Sequence, residues 1–173
     1  MTDPYDALVQ SCRERNVTEK IRPGMKVAVA VGSREYSFMP RVVKAAVDVL
    51  KQCGAEPFII PAMGSHGGMT AEGQRAVLEH LGVTEETVGA PVRSQMETVC
   101  VGLSENGLEV QMDKLAYEAD FVVPVNRIKA HTDFRGKYES GLVKMLAIGV
   151  GKQHGASVCH GQGFAKMSEN VYQ

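Results

Sequence analysis

The chain has 173 residues, 44% of them hydrophobic and 23% charged, with a net charge of −1. That length supports one domain with a real core, while the near-neutral balance gives no broad basic field for nucleic acid, and no apolar run approaches the ~18 residues that cross a bilayer. The four cysteines (Cys12, Cys53, Cys100, Cys159) are dispersed without a CxxC pair, and the polar start Met1-Thr2-Asp3-Pro4 has no signal pattern, so reduced thiols in a cytoplasmic protein are expected.

Asp6 to Arg15 reads as a short helix with Ala7, Leu8 and Cys12 on one face, and Arg22-Pro23-Gly24 as a turn. Lys26 to Val31 (KVAVAV) predicts a buried strand. Gly32-Ser33-Arg34 then leaves its C-terminal end, the edge at which open α/β sheets bind ligands. Pro40 to Cys53 predicts a helix: Pro40 suits its first position, Gly54 its C-terminal cap, and Val42, Ala46, Val49, Leu50 and Cys53 recur at helical spacing. Glu56 to Pro61 (EPFIIP) is the next strand, and the order strand, helix, strand implies a parallel pair with a crossover helix.

The glycine-rich loop Gly64-Ser65-His66-Gly67-Gly68 follows, and Thr70 caps a helix running to about Leu81, with Glu72 favourably placed in its first turn. Val92 to Met112 alternates around the turn signal Glu105-Asn106-Gly107 and predicts a β-hairpin. Leu115 to Ala119 reads as a short helix. Phe121 to Val125 (FVVPV) is another buried strand, with Pro124 arguing for a sheet edge or a strand end. Ser140 to Ile148 predicts a helix, although LVKMLAI is short enough to be a strand, and periodicity alone does not separate the two. The expected fold is α/β: a Rossmann-like, mostly parallel sheet flanked by helices, with a small β-hairpin insertion. Residues 1–173 read as a single α/β domain, and the polar, uncapped stretch Met167 to Gln173 suggests a piece of a longer protein.

Chemistry concentrates between His131 and His160. Lys144 lies inside an apolar run, where a charge is costly unless it is paired, neutral or modified. It has three readings: a stem that snorkels to solvent, a Schiff-base lysine, or a covalent anchor for a cofactor. His66 is either a general acid or base or a loop-stabilising histidine. His131 follows the third strand at the same expected edge, so the two histidines either serve opposite faces of one substrate carbon or are unrelated. Gly149-Val150-Gly151-Lys152-Gln153-His154-Gly155 reads as GxGxxxG, a dinucleotide turn only if LVKMLAI is a strand. His160 is a candidate metal ligand. His154, six residues earlier, falls on another helical face and does not form an adjacent pair with it.

From about Lys26 to His160 these residues resemble the N-terminal domain of the lactate racemase family, whose enzymes carry a nickel-pincer nucleotide cofactor. Ala62-Met63-Gly64-Ser65-His66, followed by Met69-Thr70, is similar to the family's catalytic-histidine loop and points to His66. Ser140-Gly141-Leu142-Val143-Lys144 is similar to the segment after the second catalytic histidine, which points to His131, and its lysine points to Lys144 as the cofactor tether. A histidine sixteen residues beyond that lysine ligates nickel in the family, and here it is His160.

The resemblance implies a racemase or epimerase that moves hydride between a 2-hydroxy acid and the cofactor, with a C-terminal domain of the same polypeptide closing the site. The family's motif after the first strand is here Gly32-Ser33-Arg34-Glu35; Arg34 remains a candidate for the substrate carboxylate, but the motif's aspartate is absent. Gly67 replaces an arginine and Leu142 a glycine, so the substrate is expected to differ from lactate. The alternatives are a nucleotide-binding, NAD-type oxidoreductase domain using the GxGxxxG turn, and a non-catalytic α/β module. Neither nucleic acid nor membrane is an expected partner.

Overall fold

The computed structural model describes residues 3–129, 140–161, 163 and 166–172. Helix α1 (Pro4–Glu14) is capped by Asp3, whose carboxylate accepts from the Tyr5 N–H at 2.8 Å. Strand β1 (Lys26–Val31), helix α2 (Met39–Gln52) and strand β2 (Glu56–Pro61) form the expected parallel crossover unit. Strand β5 (Phe121–Val125) pairs in parallel on the other side of β1, giving the order β2-β1-β5. Pro124 therefore sits on an edge strand, where one lost ladder donor is tolerated.

Every residue of β1 from Val27 to Val31 is fully buried, because helices cover both faces of a parallel sheet. Strand alternation divides these side chains between two cores. Val27, Val29 and Val31 join Ile59 against Met39, Val43, Val47 and Leu50 of α2 and against Leu78. Ala28 and Ala30 face the other way with Phe58 and Ile60, and meet Ala116, Met145 and Val150. The small alanines keep that second face shallow, so the 145–150 segment approaches the sheet closely.

The glycine-rich loop after β2 forms a single 3-10 turn (Gly67–Met69) and enters α3 (Ala71–His80). Thr70 caps α3, its hydroxyl accepting from the Gly73 N–H at 3.0 Å. A short helix α4 (Glu85–Val88) precedes the hairpin of β3 (Thr98–Leu103) and β4 (Glu109–Asp113), which is antiparallel with a bulge between Cys100 and Gly102. Helix α5 (Lys114–Tyr117) leads into β5.

The apolar run LVKMLAI is helical. Helix α6 (Leu142–Lys144) widens into a π-helical turn (Met145–Gly149), closed by Val150 N–H donating to the Met145 carbonyl at 2.8 Å. The strand alternative is thereby wrong, and the dinucleotide turn that required it fails: Gly149 to Gly155 links a π turn to helix α7 (Lys152–His160) and does not follow a strand. Helix α8 (Met167–Tyr172) packs Met167 and Val171 against Ile148, Ala156 and Cys159. Among the described residues no helix is long and apolar enough to cross a membrane.

Candidate active site

The loops leaving β1, β2 and β5 open on the same side, the C-terminal edge of the parallel sheet. There they line an open cleft of about 150 Å³, to whose wall α6, the π turn and the end of α7 also contribute. The β1 loop brings Ser33 and Arg34, the β2 loop Ser65 and His66, and the β5 exit Asn126, Arg127 and Lys129. Lys144 of α6 and His160, the last residue of α7, complete the wall.

Tight backbone approach builds this geometry. Gly149 lies so close to β2's exit that a Cβ there would stand 2.6 Å from the Ala62 carbonyl oxygen. Gly64 N–H donates to the Gly149 carbonyl at 3.2 Å, tying the histidine loop to the π turn. Gly67 has a φ of 65°, and a Cβ would meet the Gln74 backbone nitrogen at 2.6 Å. The arginine that the resemblance puts at this position has no room on this backbone, which is why the loop turns here on glycine.

His66 faces the β1 loop across the cleft, its Nδ1 2.7 Å from Ser33 Oγ. The ring stays exposed to solvent, yet the protein atoms around it displace enough water to hold its pKa below the ordinary imidazole value, and the Arg34 guanidinium and Lys144 ammonium push it the same way. His160 is depressed likewise, first by burial and then by Lys144. Desolvation first, and Lys144 as a shared smaller contribution, thus favour the neutral form of both imidazoles, the form that accepts a proton or ligates a metal. Among the described lining residues four are cationic, Arg34, Arg127, Lys129 and Lys144, and none is a carboxylate.

Four of the five residues singled out from sequence, Arg34, His66, Lys144 and His160, therefore share one cleft. The fifth, His131, lies outside the described residues. His154 points elsewhere, with Nδ1 3.4 Å from Thr98 Oγ1 of the hairpin. Lys144 is half-buried at the cleft wall, so the apolar run does not enclose it. The enclosed lysine is Lys152, fully shielded and paired with an equally shielded Asp113 at 3.0 Å. Sequence patterning gives no signal for Lys152, Arg127 or Lys129. Gln74, also fully buried, leaves one trace: it sits four residues before Leu78 on the inward face of α3.

A family model described as the lactate racemase N-terminal domain matches residues 5–171. The chain belongs to that family. No curated protein sequence matches it significantly. As a lactate racemase N-terminal domain it has its cleft at the expected sheet edge. Among its described residues no group of three or more histidines, cysteines or acidic side chains is arranged to hold a metal ion.

Proposed function

We propose that this lactate racemase N-terminal domain serves a racemase or epimerase acting on a 2-hydroxy acid other than lactate, by hydride transfer to a nickel-pincer nucleotide. The observation that carries the reading is the meeting of Lys144, His160, His66 and Arg34 in a single cationic cleft. The residues fit the cofactor: one amine for a covalent tether, one neutral imidazole for the nickel, and neighbouring cations for anionic groups of a nucleotide. When bound, that group would accept the substrate's hydride and return it to either face of the carbon.

In this reading Arg34 holds the substrate carboxylate, as a guanidinium suits. His66 takes the hydroxyl proton through the ring nitrogen that Ser33 does not occupy, and its depressed pKa keeps it unprotonated at neutral pH. His131 is the proposed second base, acting from the opposite face. Lys144 is the tether; acylation removes its charge and with it the repulsion that Lys144 exerts on protonated His66 and His160. Residues 1–173 would form one domain of a longer enzyme, with a second domain of the same polypeptide covering the cleft and excluding water. The four cysteines are free thiols, which supports a cytoplasmic setting.

Intact-mass spectrometry after co-expression with the enzymes that make the pincer nucleotide tests the reading. The expected result is a nickel-containing adduct of cofactor mass on the chain, absent from a Lys144→Arg variant. A chain that stays unmodified in the presence of the cofactor overturns it.

A further inference from the structure

Beneath the cleft lies a charged group for which the proposed chemistry has no use. Lys152 opens α7 with a φ of 56°, a left-handed conformation uncommon for a residue with a Cβ, and its side chain is fully buried. An enclosed ammonium is costly unless acceptors surround it. Two do, the Pro61 carbonyl oxygen at 2.6 Å and Gln74 Oε1 at 3.1 Å, and Asp113 Oδ2 stands beside the ammonium as its counter-ion at 3.0 Å. Asp113 is itself anchored, since its Oδ1 accepts from Gln95 Nε2 at 2.6 Å and from the Leu115 N–H at 2.8 Å.

A lysine has donors only, so it decides which end of the Gln74 amide turns toward it. The oxygen must face Lys152, and the NH2 group must face away. Its two N–H bonds then meet two carbonyl oxygens of the histidine loop, Gly64 at 2.8 Å and His66 at 3.2 Å. A reversed amide would set its oxygen against both carbonyl oxygens and its NH2 against the ammonium. The polar chain from Asp113 through Lys152 and Gln74 thus ends on the backbone of His66, the residue whose ring reaches Ser33 across the cleft.

We propose that Gln74 and Lys152 are positioning residues for His66: the buried ammonium orients the Gln74 amide, and the amide clasps the loop that aims the imidazole into the cleft. The inference rests on the racemase reading for the chemical role of His66. The clasp itself can be tested without any cofactor.

The probe is the His66 ring in the 15N-labelled 173-residue chain, whose nitrogen shifts at neutral pH report the tautomer. Gln74→Met keeps the volume and leaves Lys152 with Asp113 and the Pro61 carbonyl. In the parent, His66 is expected to show one tautomer. In the variant that single-tautomer pattern is expected to be lost, while the His80 and His154 signals stay in place. Unchanged His66 signals in the folded variant overturn the proposal, as does a parent whose His66 is already tautomer-averaged. Should Gln74→Met fail to fold, Gln74→Glu removes the amide donors while keeping a partner for Lys152, and the same outcomes decide. A chain that takes no lysine adduct yet shows the His66 change refutes the racemase reading alone. An adduct with an unmoved His66 refutes the clasp alone.

Discussion

Ser33 Oγ and His66 Nδ1 lie 2.7 Å apart and join the loops that leave β1 and β2. The hydroxyl occupies Nδ1, so Nε2 is the nitrogen to which the proposed function assigns proton transfer. On the proposed function, His66→Gln in the protein loaded with the pincer nucleotide is expected to lower turnover by about 10²–10⁴-fold, the usual worth of a positioned acid–base group. Ser33→Ala, which keeps the imidazole but frees it to rotate, is expected to cost less. Steady-state rates of the two variants side by side check the ordering, and a Ser33→Ala defect as large as that of His66→Gln would contradict it.

Desolvation holds the pKa of both His66 and His160 down, and Lys144 adds a smaller push in the same direction to each. A nearby cation disfavours imidazolium, so removing it raises both values. Lys144→Met is therefore expected to move the His66 and His160 midpoints upward together in an NMR titration. Acylation of Lys144 should move them in the same direction. A variant in which neither midpoint moves would show that the lysine does not act on these rings.

The same depressed values are expected to add a modest acid sensitivity to the fold, modest because both rings are exposed to solvent. The unfolded chain takes up protons on these histidines near the ordinary imidazole value, whereas the folded chain does so only at lower pH. Their contribution is thus fully present above the ordinary value and is lost as pH falls from there through the folded values. Urea midpoints measured across the mildly acidic range are expected to fall with pH, and to fall less steeply in a His66→Gln, His160→Gln double variant.

The two lysines should differ sharply when truncated. Lys152→Met leaves the fully buried Asp113 without its counter-ion and is expected to cost about 3–5 kcal/mol. Lys144→Met, at a half-buried position on the cleft wall, is expected to change stability by about 0.5 kcal/mol or less. Urea unfolding of both variants tests the contrast; equal losses would mean that the assignment of the buried charge is wrong.

Gly149 touches the sheet through its backbone, and a Cβ there would lie 2.6 Å from the Ala62 carbonyl oxygen. Gly149→Ala must push the π turn away from β2 and is expected to cost about 1–3 kcal/mol, as overpacking does. Because the Gly64 N–H donates to Gly149, the shift should also disturb the histidine loop. Loss of stability with an altered His66 ring signal is the expected pair of readings.

The three parallel strands were legible in the residues themselves, at 26–31, 56–61 and 121–125. A strand covered on both faces is apolar throughout, and that continuity is a local property of the chain. The hairpin was legible for a similar reason, since alternation around Asn106-Gly107 needs no distant partner. The convergence of Arg34, His66, Lys144 and His160 was legible only as strand ends and motif spacing. LVKMLAI was ambiguous because a short apolar run suits either geometry; the close contact of Gly149 with Ala62 accompanies a π turn. Which lysine is enclosed belonged wholly to the tertiary structure. The partners of Lys152, two acceptors and a counter-ion, come from positions 61, 74 and 113, and no local pattern announces groups that only folding brings together.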